Sequence, residues 1–110
     1  MPIVHIVLFE FKPGTSQAQV NDVCGRMLAL KDKCLHPTTN ETYVKSHGGG
    51  KDISPEGLQG GLTHGFVSEF RNKEDRQYYL ENDPAHLEFV ASLKGLMENV
   101  RVLDFEPGVL

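Results

Sequence analysis

The chain of 110 residues lacks the features that would link it to nucleic acid or to a membrane. Its formal net charge is −4, and it has no cluster of lysine and arginine that would form a basic surface for nucleic acid. No apolar run approaches the roughly 20 residues that cross a bilayer. The N-terminal segment has no basic leader, and it carries His5 and Glu10 among its apolar residues, so we expect no signal peptide. We therefore expect neither a nucleic-acid partner nor a membrane partner.

The sequence is also poor in cysteine and in motifs for metals or phosphates. Cys24 and Cys34 are its two cysteines, and on one helix they would lie roughly 15 Å apart, too far for a disulfide. This spacing predicts a reducing, cytoplasmic setting. No paired cysteines or HExxH motif indicate zinc, and "GGGKD" lacks the spacing of a phosphate-binding P-loop. We expect no cofactor, and a metal held by histidines is a minor alternative.

The local patterns predict four strands and three helices in one domain, residues 1–110. The predicted order is a strand at 3–11, a helix opened by a capping box of Ser16 and Gln19, a strand at 41–46, a glycine-rich loop at 47–61, a strand at 62–70, a short helix after Asn72, another after Asp83, and a strand at 100–106. This order predicts a ferredoxin-like α+β fold, βαββαβ, with an antiparallel four-stranded sheet and its helices on one face.

The first predicted strand is apolar on both of its faces. Val4, Ile6 and Leu8 form one face, and the opposite face carries Val7 and His5. The helices are too few to cover both faces of four strands, so the second face needs a cover from outside the chain. We predict a homodimer that packs sheet against sheet through Val4, Ile6 and Leu8, although a ligand or a different partner could also cover this face.

The segment "ENDPAHLEFV", residues 81–90, contains the strongest candidate for a functional group. Asp83 can cap the helix that Pro84 begins, which places His86 in the first turn. The positive end of the helix dipole disfavours an imidazolium there, so the ring should be neutral near pH 7 and able to accept or donate a proton.

Five further residues complete the predicted site. His5 and His64 should lie on sheet faces that also carry Val7 and Phe66, and His86 could join them around one apolar pocket. A phenol from Tyr78 or Tyr79 would complete it, since two adjacent tyrosines on a helix cannot both point inward. Such a pocket suits the binding or enolisation of a carbonyl compound. The alternative for each histidine is a hydrogen-bonded core residue without a functional role.

The segments "VHIVLFEFK", "THGFVSEF", "YYLENDPAHLEFV" and "VLDFEPG" together resemble the stress-responsive A/B barrel family, also called dimeric α+β barrels. The resemblance runs over essentially the whole chain, and the loop "SPEGLQGG" is similar to that of fungal members. It implies a dimer of ferredoxin-like subunits. The best understood enzyme of the family, olivetolic acid cyclase of plants, closes a polyketide chain without a cofactor.

The resemblance also implies roles for individual residues. The cyclase's three active-site histidines fall on His5, His64 and His86, the last as the catalytic one. Its catalytic tyrosine falls on Leu80, and one extra residue in "YLENDPAH" would bring Tyr79 to that role. The cyclase's helix-1 tyrosine has no match. Two functions are therefore expected: a cofactor-free cyclase, lyase or isomerase with His86 and Tyr79 as catalytic residues, or a non-catalytic, small-molecule-binding or stress-protective homodimer.

Overall fold

Four antiparallel strands form one sheet in the order β2-β3-β1-β4, in a computed structural model that describes all 110 residues. The elements are β1 (Ile3–Phe11), α1 (Gln17–Lys33), β2 (Lys45–Lys51), β3 (His64–Phe70), α2 (Lys73–Glu81), α3 (Pro84–Ser92) and β4 (Met97–Phe105). This is the predicted ferredoxin-like α+β fold, with the second helical segment divided into α2 and α3. The predicted strands at 62–70 and 100–106 differ from β3 and β4 by three residues or fewer at each end. None of the helices is long and apolar enough to cross a membrane.

All three helices begin at the residues that the sequence predicted. Ser16 caps α1 and forms a reciprocal capping box with Gln19, and Asn72 caps α2. Asp83 caps α3 by accepting from two backbone N–H groups, and Pro84 occupies the first turn. Caps of this kind depend on residues two or three apart in sequence, which is why they could be predicted without the fold.

The sheet has an inner face, covered by the helices, and an outer face without a cover. Ile3, His5, Val7 and Phe9 of β1 point inward and are buried, whereas the residues between them are half-buried on the outer face. The core lies between the inner face and the helices. Its buried members are Ile3, Val7, Phe9, Val23, Leu30, Cys34, Val44, Phe66, Phe70, Tyr79 and Phe89.

The second strand lies further along the chain than predicted. The sequence indicated a strand at 41–46 followed by a loop at 47–61, but β2 spans Lys45–Lys51 and includes three consecutive glycines. Gly49 packs against the ring of Phe66, where a side chain would collide with that ring. Gly48 has a φ of +90° beside an irregularity in the β2–β3 pairing. Packing therefore requires glycine at Gly49, and the left-handed backbone favours it at Gly48, neither of which a local pattern indicates.

The buried stripe of α3 also differs from the prediction. The spacing of apolar residues in the sequence predicts a buried stripe of Leu87, Val90, Ala91 and Leu93 or Lys94, but Leu87 and Val90 are 41% and 47% exposed. Phe89 is buried instead, and the half-buried His86 lies three residues before it on the same side of the helix. The apolar pattern predicted the wrong face of α3 as the buried one, because this helix carries apolar residues on several sides.

Candidate functional site

A pocket of about 510 Å³ opens between the inner face of the sheet and helix α3. Its walls are mostly apolar, with Val7 and Val102 from neighbouring strands among them. Three polar ring side chains also line it, namely those of His5, Tyr79 and His86. We call this cavity the histidine pocket. Four of the six predicted site residues thus line a single cavity.

His86 lies in the first turn of α3 and contributes an imidazole with no partner. Its Nδ1 atom is buried and forms no hydrogen bond. Burial lowers the pKa of His86, and the nearby backbone carbonyl of Tyr79 opposes part of this effect. The charge of a protonated His5 would lower the pKa of His86 further. The ring is therefore neutral near pH 7, in agreement with the sequence-based expectation, although burial rather than the helix dipole is the main cause.

Tyr79, and not Tyr78, is the tyrosine of the pocket. Its ring is 2% exposed and stacks on His86 with 3.8 Å between the ring centroids. Burial raises the pKa of Tyr79 well above its usual value, so the phenol keeps its proton and can donate a hydrogen bond. Tyr78 points elsewhere and lies against Tyr43, 5.9 Å between centroids.

His5 is held in place by two residues that the sequence did not indicate. Its Nδ1 lies 2.6 Å from a carboxylate oxygen of Asp104, and the other oxygen accepts from Arg76 at 2.9 Å. A carboxylate can only accept, so Nδ1 of His5 donates to it, and in the neutral tautomer this leaves the lone pair on Nε2. His5 and Asp104 are direct partners in the β1–β4 pairing. An acidic residue on the last strand was visible in the sequence, but this register was not.

The structure does not bring His64 and Phe66 into the histidine pocket. Both lie on the inner face as predicted, but His64 pairs with Phe9 at the far end of β3. His5 is four residues along β1 from that pair, which is roughly 13 Å of strand. His64 contacts Phe11 edge to face, and burial lowers its pKa. Phe66 is a core residue, 3% exposed.

A buried polar group fixes the start of α3 behind the pocket. Asp83 is 1% exposed and accepts from the hydroxyl of Tyr43 at 2.5 Å, besides capping the helix. Cys34 is buried beside it, and burial, followed by the Asp83 charge, raises the pKa of its thiol to about 12. The carboxylate of Asp83 thus orients the turn that carries His86. Both cysteines are free thiols.

No group of three or more His, Cys, Asp or Glu side chains lies close enough together to hold a metal ion. The pocket itself offers three polar side chains: a neutral imidazole at His86, an imidazole oriented by a carboxylate at His5, and a protonated phenol at Tyr79. Such a set can remove a proton from a bound molecule and stabilise an oxygen on which negative charge develops.

Comparison with known proteins gives relatives of similar length. The stress-response A/B barrel domain-containing protein HS1 of Arabidopsis thaliana is 33% identical over 106 residues, which cover 96% of this chain and 90% of that protein. The hydroxynitrile lyase of Passiflora edulis has a similar structure, with a TM-score of 0.83 at 23% identity, covering 99% of this chain and 96% of the other.

A Bacteroides fragilis structure described as a dimeric protein with a ferredoxin-like fold has a TM-score of 0.66 at 21% identity, covering 96% of this chain and 95% of that one. At this identity the likeness concerns the fold alone. The model of the stress responsive A/B barrel domain matches residues 3–107. The chain therefore belongs to the stress-responsive A/B barrel domain family.

Proposed function

We propose that the protein is a cofactor-independent enzyme of the lyase or cyclase type that moves a proton on an apolar carbonyl compound. The observation that carries this proposal is the buried imidazole of His86, unpartnered and stacked on Tyr79 in the same pocket as His5. A buried polar atom without a hydrogen bond costs roughly 1–3 kcal/mol. Because Nδ1 is closed to a bound molecule, Nε2 is the ring nitrogen of His86 that can accept a proton from one.

Each polar group of the pocket has a role in this proposal. His86, neutral at pH 7, is the base that removes a proton next to the carbonyl. Tyr79 donates to the carbonyl oxygen as it becomes an enolate, a contribution typically worth a few kcal/mol. His5, oriented by Asp104, accepts a hydrogen bond from the substrate at Nε2, and Val7 packs against its apolar part.

Two findings support this class of chemistry. A neighbour with the same fold is a hydroxynitrile lyase, and the sequence resembles a family that includes a polyketide cyclase. The closer relation to that cyclase and to fungal members, and the cytoplasmic location, remain predictions. Within the proposal, polyketide-like carbonyl compounds are the first substrates to test.

The test measures proton exchange, because this step precedes any particular product. The wild-type protein in D₂O should accelerate deuterium incorporation beside the carbonyl in a panel of aromatic ketones and 1,3-diketones. His86→Ala should lose this activity by a factor of about 10² to 10⁴, the usual contribution of a general base, with an almost unchanged melting temperature. His47→Ala is the matched control, since His47 lies on the surface beside Glu69. Exchange by His86→Ala at the wild-type rate would refute the role of His86.

A non-catalytic small-molecule-binding or stress-protective dimer is the second candidate. The observation in its favour is that Asp104 also joins β4 to α2 through Arg76. The contact between His5 and Asp104 can therefore stabilise the fold without any catalytic role. Saturable binding of the same ketones, with no exchange in the wild type, would favour this function.

We also infer that two copies of the chain pair through their outer faces. Ile6 of β1 lies opposite Leu103 of β4, and Val4 lies opposite Phe105. Leu103 and Phe105 are 64% and 42% exposed in the single chain. Several related structures are described as dimeric ferredoxin-like proteins. Packing sheet against sheet would remove this apolar face from water.

A further inference from the structure

Lys94 is the one lysine or arginine side chain that lines the histidine pocket. Apart from the histidines, no other ionisable lysine, arginine, aspartate or glutamate side chain lines this cavity. Lys94 is exposed and forms no ion pair within the chain, unlike Lys31 and Lys73. Its charge is therefore available to a bound molecule.

The position of Lys94 defines a distance within the pocket. His86 lies in the first turn of α3, and Lys94 follows two residues after the helix ends at Ser92. Eight residues separate them, which corresponds to roughly 12 Å at the rise of an α-helix. The residues between the two that line the cavity are apolar, namely Phe89, Val90 and Leu93.

Charge elsewhere on the chain makes this cation significant. The formal net charge is −4, which on its own repels anions at long range. The backbone carbonyls at the end of α3 give that helix terminus a partial negative charge, which stabilises a nearby cation such as Lys94. A single lysine at the rim of an apolar cavity can therefore favour an acidic ligand over a neutral one.

We propose that Lys94 binds an acidic group, a carboxylate or a phosphate, at one end of an apolar substrate whose reacting carbonyl lies beside His86. The placement of the substrate's carbonyl beside His86 rests on the proposed function, whereas the binding of its acidic group by Lys94 does not. The substrate class is thus an apolar carbonyl compound with an anionic group on the order of 10 Å from the reacting carbon, given the helical rise between the two residues.

A pair of fluorescent probes tests the acidic end without any turnover. 1-Anilinonaphthalene-8-sulfonate is anionic, and N-phenyl-1-naphthylamine is the same molecule without the sulfonate. Lys94→Met should weaken binding of the anionic probe roughly three- to fivefold, as expected for one exposed ion pair, and leave the neutral probe unchanged. Lys94→Arg should restore the affinity. Lys45→Met on the exposed edge strand β2 is the matched control and should behave as wild type.

Two further measurements locate the site and identify the anion. Val102→Trp, at a lining position that is 57% exposed, should block both probes if they bind in the pocket. Decanoate, decyl phosphate and decanol should then be compared as competitors. Decanoate and decyl phosphate should compete better than decanol for the wild-type protein, and this preference should be absent in Lys94→Met. Whichever of the two anions competes better shows whether the site prefers a carboxylate or a phosphate.

Equal losses of both probes in Lys94→Met, or an anionic probe still bound by Val102→Trp, would overturn the inference. The outcome is separable from that of the proposed function. A selective effect of Lys94→Met together with no proton exchange in the wild type would leave an acid-binding pocket that is not an active site. If proton exchange is lost in His86→Ala but Lys94→Met does not change the preference for acids, the proposed enzyme function stands and the proposed role of Lys94 is refuted.

Discussion

Burial lowers the pKa of His86 from its ordinary value near 6.5, and this has a consequence for stability at the scale of one residue. In the unfolded chain the imidazole takes up a proton as the pH falls through about 6.5. In the folded protein it does so only at lower pH. The unfolded state therefore binds more protons in this window, and the free energy of unfolding falls as the pH falls below about 6.5.

We predict that His86→Gln makes the protein less sensitive to acid. Glutamine does not titrate, so the decrease in unfolding free energy between pH 7.5 and pH 5 should be smaller than in the wild type. Urea denaturation at several pH values measures it. His64, whose pKa is also lowered, provides a comparison as His64→Gln. Parallel pH curves for His86→Gln and the wild type would contradict the assignment of a lowered pKa.

At the scale of one residue, the sequence predicted those positions that depend only on residues nearby in the chain. The position of His86 followed from Asp83 and Pro84, which precede it by three and two residues. The choice between Tyr78 and Tyr79 did not follow, because one residue on a helix rotates a side chain by about 100°, and only packing fixes the rotation. The pairing of His5 with Asp104 was also hidden, since these residues are 99 positions apart.

The strand β2 shows the corresponding limit at the scale of an element. Three consecutive glycines have a low strand propensity, and the pattern therefore predicted a loop. The ring of Phe66 occupies the space in which a side chain of Gly49 would lie, so the neighbouring strand selects glycine there. The order of the elements could still be predicted, because caps and alternating apolar residues are local, whereas the bounds of β2 depend on β3.

We predict that Gly49→Ala destabilises the protein by about 1–3 kcal/mol, the usual cost of overpacking. A Cβ atom at Gly49 would lie 2.6 Å from the carbonyl oxygen of Gly65 and closer still to the ring of Phe66. Gly50→Ala is the matched control, because a Cβ there meets nothing within 4 Å. Chemical denaturation of the two variants gives the comparison. A Gly49→Ala protein as stable as Gly50→Ala would show that Phe66 does not require the glycine.

At the scale of the whole molecule, the proposed dimer depends on the outer face of the sheet. Its centre is Ile6, between Val67 of β3 and Leu103 of β4. The sequence indicated this face, because β1 is apolar on both sides and the helices cover only one. Its full extent on β4 was not indicated, since the register of the strands determines which residues join it.

We predict that Ile6→Glu disrupts the homodimer. A charge buried without a partner in this interface costs several kcal/mol, so sedimentation velocity should show a monomer or an aggregate. Leu28→Glu is the control, because Leu28 is partly exposed on helix α1, away from the outer face. It should remain a dimer. A stable dimer of Ile6→Glu would remove the proposed interface.

The strand β4 places two unrelated tasks on alternate residues of one short segment. Val102 and Asp104 face the pocket side, while Leu103 and Phe105 face the side of the proposed dimer. Substitutions at odd and even positions can therefore alter assembly and ligand choice independently. Inserting or deleting one residue in β4 would exchange the two sets of side chains at once. Point substitutions in β4 can thus change either the pocket or the proposed interface, whereas a change in its length would disrupt both together.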